Sequence, residues 1–135
     1  MAIFVATDYK VTLGTTNVST YLTQTELGLE ADEVETTAFG ATFRTRVGGL
    51  KNGSITLQFN QDFGAGGVDA LLFPLLGSAV AFVITPSSTA VSATNPSYSG
   101  TALVTQYTPI GASVGDLATF SVTWPTTGAV TRATA

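Results

Sequence analysis

The chain has 135 residues, of which 44% are hydrophobic and only 10% are charged, and its formal net charge is −4. This length fits one core, and the composition is the reverse of that of a disordered chain, so we expect residues 1–135 to fold as a single domain. The acidic balance leaves no basic footprint for nucleic acid, while the lack of cysteine and histidine excludes disulfides, thiolate or imidazole metal sites and histidine-dependent nucleophiles.

The first half of the chain is patterned as strands. In "YKVTL", residues 9–13, apolar and polar side chains alternate, and they alternate again in "TELGLEA", residues 25–31, and in "SITLQFN", residues 54–60. A period of two is typical of a strand with one buried face. Turns are predicted at residues 14–17 and at the Asn-Gly pair of residues 52–53, which suits a positive φ angle.

One segment changes to a helical period, and its apolar residues are Val68, Leu71, Leu72, Leu75 and Leu76. Their spacing predicts an amphipathic helix, which Pro74 is expected to bend or end. The following "AVAFVIT", residues 79–85, is apolar at almost every position, which favours a strand covered on both faces. Because Asp69, Pro74 and the pair "GS" interrupt the apolar run, we expect no membrane span and no membrane partner.

The second half is again rich in strand signals. Residues 86–100 read as a loop of small residues, "TALVTQYT" at residues 101–108 as a strand, and "LATFSVTW" at residues 117–124 as another strand. The tail "PTTGAVTRATA", residues 125–135, indicates a turn and a short last strand. About seven short strands and one helix predict a mainly-β protein, a β-sandwich or barrel with one short flanking α-helix.

Few residues of this chain are suited to catalysis. Carboxylates could serve glycoside hydrolysis, and the candidates are Asp8, Asp62, Asp69 and Asp116. No substrate-positioning motif accompanies them, so we interpret them as turn, helix-start and strand-end residues and expect neither an enzyme nor a cofactor. The acidic run "EADEVE" lacks the spacing and central glycine of a calcium loop, and we interpret it as a solvated face and not a metal site.

Three aromatic residues offer an alternative in a different class of function. Tyr98, Tyr107 and Trp124 could stack on sugars in a small carbohydrate-binding module. Their alternation with polar residues favours packing in the core or between strands. We therefore retain carbohydrate binding only as an alternative.

Residues 27–51, "LGLEADEVETTAFGATFRTRVGGLK", hold half of the charged residues of the chain. Acids precede the short "AFGATF" and bases follow it. One interpretation is a hairpin whose two strands pair opposite charges. The other is a projecting arm that docks on a neighbouring copy, because aromatic residues at an exposed tip are typical of interfaces. The predicted inter-subunit contact residues are Glu30, Asp32, Glu33, Glu35, Phe39, Phe43, Arg44, Arg46 and Lys51.

Nearly the whole chain resembles a known family. The run "TELGLEADEVETTAFGATFRTRVGGLKNGSITLQFNQDF" followed by "VDALLFPLLG" resembles the major tail protein, or tail tube protein, of long-tailed, non-contractile bacteriophages. The opening "DYKVTLGTTNVSTYL" resembles that family's first strand and turn, and "PIGASVGDLATFSVTWPTTGAV" its last hairpin.

The resemblance implies a β-sandwich with one flanking helix that assembles into six-membered rings, stacked into a hollow tube in the virion tail. It also implies a long loop, here residues 30–50, that reaches across a subunit or ring boundary. The implied partners are further copies of the chain and other tail proteins such as the tape measure, terminator and distal tail proteins, while genome DNA passes through the lumen without specific binding. Synthesis is expected in the host bacterial cytoplasm. A head-tail joining or tail-terminator protein, which forms one ring and stops, is the closest alternative.

Overall fold

The computed structural model describes residues 3–135, and these form seven strands and one short α-helix. In chain order the elements are β1 (Lys10–Leu13), β2 (Thr16–Asn17), β3 (Leu22–Glu35), β4 (Arg46–Asn60), α1 (Val68–Leu72), β5 (Ala79–Thr85), β6 (Ser97–Leu103) and β7 (Thr119–Ala133). All pairings are antiparallel, and the strand order is β2-β1-β5-β6-β7-β4-β3. The predicted mainly-β fold with one short helix is confirmed.

Strand β7 joins the two halves of this sheet, which are β2-β1-β5-β6 on one side of it and β4-β3 on the other. Its residues 119–125 pair with β4, and its residues 126–133 pair with β6. Between the pairs Thr101–Thr127 and Ser99–Thr131, β7 contains two more residues than β6, and Gly128 lies in this stretch with a φ angle of 82°. The expected turn and separate last strand in residues 125–135 are therefore wrong. Gly128 marks an irregularity within one long strand, since a positive φ angle serves a bulge as well as a turn.

The two halves of the sheet share one hydrophobic core. β4 and β7 contribute alternate side chains from one half, and β1 and β5 contribute alternate side chains from the other. Helix α1 adds Val68 and Leu72, and Trp124 is fully buried. Burial of one such side chain stabilises the fold by about 1.5–3 kcal/mol, so this shared cluster holds the two halves together.

Two expectations about the middle of the chain need correction. Helix α1 ends at Leu72 and continues only as a 3-10 turn at Phe73–Leu75 that contains Pro74, so the expectation that Pro74 ends the helix is confirmed, whereas Leu76, the last residue of the predicted apolar stripe, is exposed. Strand β5 is buried on one face only, and Val83 on its outer face is 39% exposed. The outward residues of β5 are small or β-branched, and they satisfy a strand pattern without a second covering layer.

Two boundaries also differ from the prediction. The strand expected at residues 101–108 lies at Ser97–Leu103, so it begins inside the expected loop, and residues 104–118 form no strand. The turn expected at residues 52–53 lies inside β4, where Gly53 is paired with Leu29. Turn-type residues are tolerated at the start of β6 and at residues 52–53 of β4, because the neighbouring strands supply the backbone hydrogen bonds.

Candidate assembly site

The β3–β4 hairpin has a buried root and an exposed arm. In the root, which comprises residues 22–27 and 53–60, the side chains of β4 alternate between buried and half-buried positions. In residues 28–52, which we call the hairpin arm, every residue is exposed. All nine predicted contact residues belong to this arm.

The arm begins where β4 loses its second neighbour. The last residue of β4 paired with β7 is Ser54, which faces Pro125, and from there towards Arg46 the strand pairs with β3 alone. Thr126 closes this boundary by donating a hydrogen bond from Oγ1 to the carbonyl oxygen of Gly53 at 3.2 Å. Beyond it the arm is a two-stranded ribbon with an unpaired edge on each side.

The ribbon is interrupted once and then ends in a hydrogen-bonded tip. Between the pairs Ala31–Lys51 and Glu33–Gly48, β4 contains one extra residue, an irregularity that increases the local twist. At the tip the Thr36 amide donates to the Thr45 carbonyl oxygen at 2.8 Å, and the Thr45 amide donates to Thr37 Oγ1 at 2.9 Å. These bonds give the tip a defined conformation.

The tip and the ribbon present apolar side chains to solvent. Phe39 is fully exposed and Phe43 is 85% exposed. Four further apolar side chains of the arm are at least about half exposed, namely Leu29, Val34, Val47 and Leu50. Exposed apolar residues gathered on one projecting element are typical of an interaction surface, because single scattered ones are the norm elsewhere.

The charges of the arm are partly paired within the chain. Arg44 Nε lies 3.5 Å from Glu35 Oε1, and Arg46 forms an ion pair with Glu33 across the two strands. The cross-strand pairing considered from the sequence is thus present at two places. Among residues 3–135, Glu30, Asp32 and Lys51 take part in no ion pair. Contact of any of these residues with another copy stays a prediction.

The carboxylates considered for catalysis hold local structure. Asp8 Oδ2 accepts hydrogen bonds from the Ser88 amide and hydroxyl at 3.1 and 2.7 Å, and the Ser88 hydroxyl is the main reason why the pKa of Asp8 is lowered. Asp62 Oδ1 accepts from the Gly64 amide at 2.8 Å, and Asp69 Oδ1 accepts from the Tyr107 hydroxyl at 2.6 Å. The contact of Asp62 matches its interpretation as a turn residue, and Asp69 lies in the first turn of α1, as expected of a helix-start residue.

The aromatic residues considered for sugar stacking are largely part of the core region. Trp124 is fully buried and donates from Nε1 to the Gln106 carbonyl oxygen at 2.9 Å. Tyr107 packs edge-on against Phe120, with ring centroids 5.2 Å apart. Trp124 therefore offers no free ring face, and Tyr98 is half-buried in strand β6.

Sequence reasoning missed four of the apolar residues of the arm. The alternation of "TELGLEA" placed Leu29 on a face expected to be buried, and Val34, Val47 and Leu50 drew no attention beside the charges. The charged residues beside them were the sequence signal that these four side chains are exposed, because a strand this rich in acids and bases rarely enters a core. Residues 3–135 contain neither a cluster of potential metal-ligating side chains nor a helix long and apolar enough to cross a membrane.

Two solved structures with this fold are chains of gene transfer agent particles. A chain in the virion of a native gene transfer agent particle matches with a TM-score of 0.73 and 15% identity, over 93% of this chain and 95% of that chain. A chain in the tail of an empty gene transfer agent particle with C6 symmetry matches with a TM-score of 0.65 and 15% identity, over 86% and 84%. No family model and no curated protein matches the sequence. At this identity the likeness establishes the fold.

Proposed function

We propose that this chain is a structural subunit of a phage-like tail, which assembles with copies of itself into six-membered rings that stack into a tail tube. The observation that carries the proposal is the exposed hairpin arm on a fold shared, almost end to end, with chains of a tail-bearing particle. The C6 symmetry of the gene transfer agent tail supports six copies in a ring.

The composition of the surface supports the proposal that the chain is a subunit of an assembly. Only 10% of the residues are charged, well below the quarter typical of soluble domains. The arm adds apolar side chains that no other part of residues 3–135 covers. Surfaces with this character resemble the interfaces of obligate assemblies, which are more hydrophobic than those of transient complexes.

One side of the same sheet carries an acidic residue and no basic residue in the root, and such a surface would repel DNA. Glu26 and Glu30 face Thr56 and Asn52 across β3 and β4, on the side of the sheet opposite the core residues. The polar side of β3, β4 and β7 in the root carries no basic residue. We assign this side to the lumen, because an acidic lining repels phosphates and lets the genome slide.

Further partners follow from the position in the tail. The end rings of a tube need joining or terminating proteins, and a further protein is needed to set the length of the tube. Other tail proteins are therefore proposed partners. The proposed location is the virion tail. Assembly that ends at one ring would instead indicate a head-tail joining or tail-terminator protein.

Negative-stain electron microscopy of the purified chain, together with its mass in solution, tests the proposal. We expect rings at low concentration and hollow tubes of variable length at high concentration. Single rings that never stack would favour the joining or terminating role. A chain that stays monomeric at every concentration would contradict the proposal, and glycan screening by thermal shift would then examine the carbohydrate-binding alternative.

A further inference from the structure

A second apolar surface lies in the loops that follow β4 and precede β7. Phe63 is 62% exposed, Ile110 is 83% exposed and Leu117 is 69% exposed, and Val114 is fully exposed. We call these four residues the end patch. They are not used by the core, and they lie in segments that no other described part of the chain covers.

The end patch is held in place by Gln61. The Gln61 amide donates to the Ala118 carbonyl oxygen at 2.9 Å, and its side-chain Nε2 donates to the Pro109 carbonyl oxygen at 2.9 Å. Nε2 also donates to the Tyr107 hydroxyl at 3.1 Å, which in turn donates to Asp69. Burial and the hydrogen bond to the Asp69 carboxylate raise the pKa of Tyr107. The loops are therefore anchored at their bases.

The end patch and the tip of the arm lie at opposite ends of one strand. Strand β4 has 15 residues, with the tip beyond Arg46 and Gln61 directly after Asn60. At about 3.3 Å per residue its ends are roughly 45 Å apart. Each copy therefore carries one apolar surface at each end, one on a hairpin tip and the other on two loops.

The charged residues nearest the two ends differ in sign. The arm as a whole holds four acids and three bases, but at its tip, between residues 36 and 45, Arg44 is the single charged residue, and no basic residue occurs between residues 52 and 131. Asp62 and Asp116 flank the end patch in sequence. The side chain of Arg44 at the tip is 73% exposed although it pairs with Glu35, so its guanidinium is accessible to an acid of another copy.

We propose that the end patch receives the tip of the hairpin arm of a second copy, with Phe39 and Phe43 against its apolar residues and Arg44 towards Asp62 and Asp116. This inference rests on the proposed function and deepens it by naming the receiving surface. A contact between two different surfaces leaves each copy with one free surface of each kind, so it extends from copy to copy unless the rotation between copies closes a ring, and such extension is what a growing tube requires.

Pairwise cross-linking tests this contact directly, because the chain contains no cysteine. The Phe39→Cys and Val114→Cys changes are combined in one chain, and a short bismaleimide is added before denaturing electrophoresis. Head-to-tail contact gives a ladder of dimers, trimers and longer species. The control chain combines Phe39→Cys with Thr123→Cys, an exposed position on the polar side of β7, and we expect at least tenfold less ladder.

The outcomes separate this inference from the proposed function. Tubes in the microscope without a Phe39–Val114 cross-link would overturn the end patch as receiver and leave the tail subunit standing. A ladder without tubes would support the contact and contradict the tube. Efficient dimers from the Phe39→Cys single variant, with no longer species from the double variant, would show that tips meet each other and would overturn the proposal.

Discussion

The root and the arm of the β3–β4 hairpin are built from the same two strands, yet one is a core element and the other is exposed throughout. In β4, Leu57 is fully buried while Leu50, seven residues earlier, is 81% exposed. The difference lies in their neighbours, because β4 pairs with β7 only from Ser54 to Asn60 and has β3 as its single partner strand in the arm. Strand formation and burial are thus separate properties of one continuous element.

The largest expected effect contrasts two leucines of β4. Leu57→Ala removes a fully buried side chain and is expected to lower the free energy of unfolding by about 2–5 kcal/mol. Leu50→Ala, the same change in the arm, is expected to alter it by less than about 0.5 kcal/mol. Urea unfolding of an unassembled sample measures both values. Equal losses would show that the arm packs against the core in solution.

The next effect concerns assembly. Replacing both Phe39 and Phe43 by serine is expected to raise the concentration needed for assembly about a hundredfold, or about 2.7 kcal/mol, because aromatic anchors supply most of the energy of an interface. Light scattering over a dilution series gives that concentration. A variant with both residues replaced by leucine retains apolar area and is the control. Normal assembly of the serine variant would place the interface elsewhere.

Alanine substitutions at two glycines test where the root ends and the arm begins. A Cβ atom on Gly53 would lie 2.9 Å from Leu29 Cδ2 and 3.0 Å from Thr126 Oγ1, so Gly53→Ala is expected to cost about 1–3 kcal/mol. Gly48 in the arm has no atom within 4 Å of that position, and Gly48→Ala is expected to be neutral within about 0.5 kcal/mol. Thermal unfolding compares the two. A neutral Gly53→Ala would show that Leu29 moves freely at the boundary.

The smallest effect is expected from the ion pairs of the arm. A double-mutant cycle with Glu33→Gln and Arg46→Gln should give a coupling of about 0.2–1 kcal/mol that falls as salt is added, since both side chains are exposed. Chemical unfolding at two salt concentrations measures it. A coupling well above this range, or one insensitive to salt, would mean that the pair is shielded from water.

Much of the fold follows from local sequence pattern. The alternation in residues 54–60 predicted the buried face of β4, the helical spacing predicted α1, and the clustered charges drew attention to the arm. Each of these signals reports on neighbours along the chain or directly across a strand, which is the range over which side-chain period acts.

The missed features depend on what lies across space. Pro125 and Gly128 indicated a turn, but β7 runs through both because β4 and β6 supply its partners in succession. The apolar residues on the outer face of β5 predicted burial, yet no described element covers Val83. The end patch gave no periodic signal, because its four residues come from two loops that Gln61 brings together.

The continuity of β4 also has a mechanical consequence. A partner that holds the tip pulls on one continuous strand, which passes a single irregularity in the arm and then enters the core between β3 and β7. A pull along that strand loads its pairs with β7, from Ser54 to Asn60, side by side and not one after another. Force from a neighbour that holds the tip is thereby shared among many hydrogen bonds of the sheet.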